Sequence, residues 1–248
     1  MRVISITNQK GGCGKTTTAV NLSAYLAKHG KPTLLIDMDP QGAATTGLGV
    51  EKWELDKTIY DVLISEAGVE DIVIQTKVSN LYLAPTNINL SGAVLELAGQ
   101  MGREYLLKEK LDHVNGYDYI IIDTPPSLDL LTINALVAST EILVPIQTEY
   151  YALEGMSQLL KIVDMVDKRL GTKLSRRFLL TMFDSRTKLS NEVADQVKAH
   201  FKGEVFQTII PRNIRLAEAP SYGEPISMYD PDSSGAKAYE QLAEEVMA

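Results

Sequence analysis

The stretch NQKGGCGKTTTAVN, residues 8–21, places three glycines and two lysines in one short loop ahead of a predicted helix. Glycines at positions 11, 12 and 14 let the backbone curl so that its N–H groups converge on phosphate oxygens, and the helix N-terminus adds partial positive charge. In such a loop Lys15 reaches the β- and γ-phosphates and the Thr16 hydroxyl binds Mg²⁺. The loop does not fit the dinucleotide pattern G-x-G-x-x-G, which disfavours a nicotinamide cofactor.

Three aspartates stand at the ends of predicted apolar strands. Asp37 and Asp39 lie two residues apart in LLIDMDPQG, so their side chains point the same way, toward the strand edge where α/β sheets bind ligands. Asp123 ends YIIID, and a buried aspartate with no ion to face is unfavourable. The alternative is that the three aspartates are strand-end caps or turn residues; their occurrence together with the loop favours a nucleotide and metal site.

Short apolar runs alternate with longer segments of helical period along the chain. The predicted strands are 2–7, 32–37, 81–85, 117–123, 141–147 and 176–183, and the predicted helices are 16–30, 129–140, 152–171, 187–203 and 233–248. Apolar strands separated by helices predict an α/β fold with a mainly parallel, doubly wound sheet and helices on both faces. The lack of a linker-like segment predicts a single domain over residues 1–248.

Composition excludes several classes of protein. The 248 residues carry a net charge of −8, yet residues 161–216 hold 12 Lys/Arg against 6 Asp/Glu, so a local basic surface is possible in an acidic chain. The single cysteine rules out a disulfide framework or a multi-cysteine metal site within one chain, and the three histidines are too far apart to suggest metal ligands. No apolar run or N-terminal signal predicts a membrane span or export, so we expect a cytoplasmic protein.

The loop reads K-G-G-x-G-K-T-T, the deviant Walker A motif, and with the two aspartate motifs it resembles the ParA/MinD family of ATPases over nearly the whole chain. The resemblance implies ATP and Mg²⁺ as cofactors and an ATP-dependent sandwich homodimer. It also implies that Lys10 crosses the interface to the partner's phosphates and acts in catalysis with Lys15 and Asp39, which positions the attacking water. Spacing alone would make Lys10 an ordinary solvated loop lysine. The implied nucleotide contacts are Lys10, Gly11, Gly12, Cys13, Gly14, Lys15, Thr16, Thr17, Pro211 and Asn213, and the implied metal-site residues are Thr16, Asp37 and Asp123.

Two further segments, 182–190 (MFDSRTKLS) and 211–223 (PRNIRLAEAPSYG), resemble the chromosomal, Soj-type branch of this family. The second segment would cover the adenine. The resemblance implies that Arg186, Arg212 and Arg215 contact nonspecific double-stranded DNA in the ATP dimer, and that an activator of the ParB type stimulates slow hydrolysis. The alternative is that these arginines are surface residues paired with Asp184 or Glu218.

The expected function is therefore an ATP-dependent DNA-partitioning switch, cytoplasmic and associated with the nucleoid. Longer plasmid relatives carry an N-terminal helix-turn-helix, which we do not expect here. A MinD-like membrane-associated ATPase is the first alternative, but the tail YEQLAEEVMA is acidic where membrane binding favours lysine and arginine. A metal or cluster scaffold ATPase would need more cysteines than Cys13. A small-molecule kinase is the weakest alternative, because the sequence shows no pattern for a site that would bind the phosphate acceptor.

Overall fold

The computed structural model describes residues 1–149 and 156–248. Within them, eight strands form one sheet in the order β3-β4-β2-β5-β1-β6-β7-β8, parallel except where β3 pairs with β4. The strands are β1 (Arg2–Ile6), β2 (Thr33–Asp37), β3 (Ile74–Gln75), β4 (Leu81–Ala84), β5 (Tyr119–Asp123), β6 (Glu141–Gln147), β7 (Ser175–Phe183) and β8 (Val205–Pro211).

Helices connect the strands and cover the sheet on both faces. They are α1 (Lys15–Lys28), α2 (Ala43–Gly47), α3 (Ile59–Ile64), α4 (Leu90–Glu96), α5 (Leu106–Leu111), α6 (Leu130–Ala138), α7 (Met156–Leu170), α8 (Lys188–His200), α9 (Ile214–Glu218), α10 (Ile226–Tyr229) and α11 (Ser234–Met247).

Alternate residues of the central strands enter different apolar cores. In β5, Ile121 packs with α1 and α11 on one face, whereas Ile120 and Ile122 pack with α3, α4 and α5 on the other. A third cluster lies between α7, α8 and the strands β6 and β7. Burial on both faces explains why these strands read as continuous apolar runs, and it confirms the predicted fold class.

All six predicted strands are present, with bounds that agree to within two residues. The five predicted helices are present as α1, α6, α7, α8 and α11; residues 152–155 of the third lie outside the described residues. The strands β3 and β8 were not predicted. β3 has only two residues. The burial of β8 neither alternates regularly nor forms an unbroken apolar run, because three of its seven residues are buried, one is exposed and three are half-buried.

The order of the central strands brings the sequence motifs to one edge. β5 lies between β1 and β2, and Asp123 is in register with Ile6 on one side and with Asp37 on the other. The loop that follows β1 therefore leaves the sheet beside both aspartates. This is the carboxyl edge at which open α/β sheets bind ligands.

Candidate functional site

The phosphate loop is held in a curled conformation by two glycines with left-handed backbones. Gly12 has φ 71° and Gly14 has φ 89°, values that favour glycine, and Gly14 is the N-cap of α1. The Thr181 hydroxyl donates to the Cys13 carbonyl at 2.9 Å, which fixes the loop to β7. Lys15 is buried, and its Nζ donates to the Lys10 carbonyl at 3.3 Å, so its charge lies inside the curl of the loop.

The aspartates at the ends of β2 and β5 are both fully buried. Asp37 accepts hydrogen bonds from the Thr45 backbone N–H and hydroxyl, each at 2.8 Å, and from the Asp39 N–H at 3.2 Å. Burial nevertheless raises the pKa of Asp37 to about 6. Burial and the charge of Asp37 raise the pKa of Asp123 well above its usual range, and nearby Thr16 and Lys15 offset this only in part.

Neither carboxylate oxygen of Asp123 has a hydrogen-bond partner among the described residues. The Thr16 hydroxyl is near enough to affect the pKa of Asp123 without completing such a bond. Two buried carboxylates beside a hydroxyl, one of them without a partner, are a donor set of the kind that Mg²⁺ prefers. The residues present therefore fit a magnesium ion.

Asp39 is more accessible than the other two aspartates. It lies between β2 and α2, and its carboxylate accepts the N–H of Gln41 at 3.0 Å. The turn is closed by Gly42, which has a left-handed backbone with φ 63°. Asp39 thus lies at the open side of the site, where a carboxylate can contact water.

A cavity of about 290 Å³ opens beside the phosphate loop. It is lined by Gly14, Thr17, Thr181, Met182, Ile210, Pro211, Arg212, Asn213, Ile214, Leu216, Ala217 and Tyr239. The structure thus places Thr17, Pro211 and Asn213 together, as the motif resemblance implies. The Asn213 Oδ1 already caps α9 by accepting from the N–H groups of Arg215 and Leu216, and its amide donates to Ser234. A contact from Asn213 to a base would use its remaining amide N–H.

The three arginines predicted to contact DNA all form ion pairs. Arg186 makes two contacts with Asp184, at 2.8 and 2.7 Å, and these lower the pKa of Asp184 to about 2. Arg215 contacts Glu218 at 2.9 Å and Asp230 at 3.3 Å. The pairings with Asp184 and Glu218 are those that the sequence-based alternative, in which these arginines are ordinary surface residues, predicts.

Arg212 pairs with a residue that the sequence did not single out, Glu149, at 3.3 Å. Its backbone N–H donates to the carbonyl of Phe183 at the end of β7, which brings it close to Asp184. Glu149 also lies 3.6 Å from the Nζ of Lys10. Sequence reasoning missed Glu149 because it follows β6 without a motif of its own.

Thr45 and Thr181 were also missed. Thr45 supports Asp37 from α2, and Thr181 supports the phosphate loop from β7. Thr181 comes from another part of the chain and is brought to the loop by the sheet, so a local pattern could not reveal it. Thr45 follows Asp37 by eight residues, in the segment QGAATTGLG, where a threonine reads as an ordinary helix residue.

The fold, the curled phosphate loop and the paired strand-end aspartates define a P-loop nucleotide-binding protein. A family model described as an AAA domain matches residues 1–176. The sporulation initiation inhibitor protein Soj of Bacillus subtilis is 55% identical over 249 residues, covering 100% of this chain and 98% of that protein. The chromosome-partitioning ATPase Soj of Treponema pallidum is 49% identical over 249 residues, covering 100% and 97%. The chain therefore belongs to the Soj/ParA family of chromosome-partitioning ATPases.

A solved structure shares the whole architecture. Cobyrinic acid a,c-diamide synthase of Mycobacterium smegmatis, with bound ADP and magnesium, matches with a TM-score of 0.87 at 35% identity, covering 100% of this chain and 94% of that one. The predictions of the family, the fold class and an ATPase are confirmed. Among the described residues, no helix is both long and apolar enough to cross a membrane.

Proposed function

We propose that this protein is an ATP-dependent DNA-partitioning switch. The observation that carries the nucleotide part is the fully buried carboxylate of Asp123 at the end of β5, which has no hydrogen-bond partner among the described residues and lies beside Asp37 and the start of the phosphate loop. A buried charge of this kind is stable when it faces a cation. The magnesium and nucleotide of the matched synthase support the choice of Mg²⁺ and ATP.

Each residue of the site then has a distinct role. The loop N–H groups and Lys15 bind the phosphates, and Thr16, Asp37 and Asp123 hold Mg²⁺, which would neutralise phosphate charge. Asp39, on the open side, orients the water that attacks the γ-phosphate. Lys10 of each protomer contacts the partner's nucleotide in a sandwich dimer, so that a positive charge supplied across the interface couples dimerisation to hydrolysis.

The DNA-binding surface is formed by Arg186, Arg212 and Arg215 near the carboxyl edge. Their ion pairs involve solvent-exposed side chains, and such pairs are weak because water and salt screen them, so DNA phosphates can compete for the arginines. Contacts to phosphates carry no sequence information, which fits nonspecific binding. An activator of the ParB type would stimulate hydrolysis and release DNA, in the cytoplasm and at the nucleoid.

The test is binding to random-sequence duplex DNA with ATP, with ADP and without nucleotide, across a salt series. We expect ATP-dependent binding that weakens by about 10³ between 50 and 200 mM salt if a dimer makes about six phosphate contacts. Arg186→Ala should weaken it, whereas Arg169→Ala should not, because Arg169 lies in the last turn of α7, shortly before the amino end of β7 and so at the opposite edge of the sheet. Binding that is independent of nucleotide, or equal loss in both variants, contradicts the proposal, and liposomes would then be the next surface to test.

The role of Asp39 has its own test. Asp39→Ala should still form ATP-dependent dimers, because the phosphate loop and the metal-site residues are unchanged, but it should lose most of its ATP hydrolysis. Dimers are measured by light scattering and hydrolysis by phosphate release. A variant that hydrolyses ATP as fast as the parent would remove Asp39 from the mechanism.

A further inference from the structure

Glu149, just beyond the end of β6, contacts two cations from distant parts of the chain. Its carboxylate lies 3.6 Å from the Nζ of Lys10 in the phosphate loop and 3.3 Å from Nη2 of Arg212 after β8. The amide of Gln147 donates to the same carboxylate at 2.6 Å, which orients it toward both. The side chain of Glu149 is 47% exposed, so the cluster is open to solvent and to ligands.

Arg186 and Arg215 each form an ion pair with a residue nearby in the sequence, and Arg215 has a second, more distant pair with Asp230. Asp184 precedes Arg186 by two residues, and Glu218 follows Arg215 by three, so each of these pairs stays within one turn of chain. Glu149 instead joins the loop after β1 to the segment after β8. Its single negative charge is shared between a cation of the nucleotide loop and a cation of the proposed DNA surface.

Lys10 is anchored at its backbone and free to redirect its side chain. Its N–H donates to the Asn8 side chain at 3.0 Å, and its carbonyl accepts from Cys13 and Lys15. The ammonium group, 37% exposed, can therefore turn away from Glu149 without disturbing the loop. The ammonium group cannot pair closely with Glu149 and with a nucleotide phosphate of a partner at the same time, because the two anions compete for one cation.

We propose that Glu149 is a positioning residue that holds Lys10 and Arg212 within the protomer and competes for them with nucleotide and DNA phosphates. The inference rests on the proposed function, because it assigns the regulation of the same site. In the protomer Glu149 keeps Lys10 away from a partner. ATP in the partner draws Lys10 across the interface, and DNA draws Arg212 from the same carboxylate.

The contact with Lys10 is tested without nucleotide, DNA or dimer. Nucleotide-free protein is acylated with limiting acetic anhydride, and the rate at Lys10 is read by mass spectrometry. Glu149→Gln should raise that rate about two- to fivefold, as expected from loss of one partly exposed ion pair. Glu218→Gln is the matched control: it removes the same charge from another arginine but does not contact Lys10, and it should leave the rate unchanged. An unchanged rate in Glu149→Gln, or an equal rise in both variants, overturns the proposal.

The competition with nucleotide is tested by the ATP concentration that gives half-maximal dimer. Glu149→Gln should lower this ATP concentration about three- to tenfold, because the pair between Glu149 and Lys10 is broken twice in each dimer. Glu149→Asp should give a value between those of the parent and Glu149→Gln. ADP should not produce dimers in any of the three proteins. An unchanged midpoint contradicts the proposal. A parent protein that stays monomeric with ATP contradicts the proposed function and, with it, the competition for nucleotide; the acylation rate then decides only whether the contact exists.

The competition with DNA is tested in protein without nucleotide at low salt. Glu149→Gln should bind duplex DNA about two- to fivefold more tightly than the parent, and the gain should disappear when Arg212→Ala is added. A gain that persists in the double variant would show a general charge effect and remove Arg212 from the proposal.

Discussion

Replacing Asp123 by asparagine should make the protein more stable. Asp123 is fully buried, its two carboxylate oxygens have no hydrogen-bond partner among the described residues, and Asp37 is its neighbour in the sheet. Without a bound cation, the folded protein must either keep two negative carboxylates side by side in a site of low polarity or protonate one of them, which costs free energy at neutral pH. An amide of the same shape removes that charge.

The expected increase in the free energy of unfolding can be estimated from the sheet geometry. Adjacent strands lie about 4.8 Å apart, and two unit charges about 5 Å apart repel by roughly 3 kcal/mol at an effective dielectric constant near 20. Part of this is lost, because the asparagine amide also lacks partners, at a cost of about 1 kcal/mol. We therefore expect Asp123→Asn to raise the free energy of unfolding by about 2 kcal/mol, or the melting temperature by roughly 4–8 °C.

The gain should depend on pH with a definite sign. The pKa of Asp123 is raised in the folded protein, so the folded state binds its proton more tightly than the unfolded chain does. Below the unfolded pKa, near 4, both states are protonated and the parent should match the variant in stability. As the pH rises through the raised pKa, the parent loses the stability that the protonated Asp123 provides, and the variant does not. Both proteins lose the part that comes from the raised pKa of Asp37, so the difference between them should grow toward pH 8.

Thermal unfolding of the parent and Asp123→Asn between pH 4 and pH 8, without nucleotide, measures this directly. Asp118→Asn, an exposed aspartate at the other end of β5, is the matched control and should have little effect. Adding Mg²⁺ and ATP should stabilise the parent more than the Asp123 variant, because the variant lacks one proposed metal-site carboxylate. A variant that is less stable than the parent at pH 8, or a gain that is constant with pH, would refute the reasoning.

Three further outcomes follow from packing and hydrogen bonding. Gly223→Ala should destabilise by about 2–4 kcal/mol in chemical denaturation, because φ is 64° and a Cβ would lie 2.6 Å from the Gly49 Cα, whereas Gly203→Ala, at φ 80° with open space, should cost about 1 kcal/mol. Thr181→Val should destabilise by about 1–2 kcal/mol and weaken ATP binding in calorimetry, while Thr181→Ser, which keeps the hydroxyl bonded to Cys13, should not. Burial raises the pKa of the Cys13 thiol, so its reaction with a disulfide reagent at neutral pH should be at least about tenfold slower in folded than in unfolded protein, and equal rates would contradict its burial.

The phosphate loop and the strand-end aspartates could be predicted because their chemistry is local. Each motif joins an apolar strand to the residue that follows it, and in a parallel sheet the carboxyl ends of strands share one edge. That argument places Lys15, Asp37 and Asp123 near one another from the sequence alone. The register of β2, β5 and β1 then supplies what the sequence cannot, namely that Asp37 and Asp123 are direct neighbours.

The supporting residues could not be predicted because the strand order decides them. Thr181 reaches Cys13 only because β7 lies two strands from β1, with β6 between them. Glu149 reaches Lys10 because β6 is the direct neighbour of β1. Nothing in the local sequence around Thr181 or Glu149 distinguishes them from other polar residues at strand ends.

The same geometry is consistent with the proposal that an acidic protein binds DNA weakly as a single protomer and tightly as a dimer. Each of the three arginines is paired with a carboxylate of its own protomer, so DNA phosphates must compete for all three. With about three phosphate contacts the logarithm of affinity would fall with a salt slope near −3, whereas a dimer with about six would have a slope near −5 and a far higher affinity at low salt. Joining two weak surfaces raises the affinity of the pair without any new contact. Under the proposed function, ATP would control DNA binding mainly through the number of arginines on one dimer, and a change of shape within the protomer would not be required.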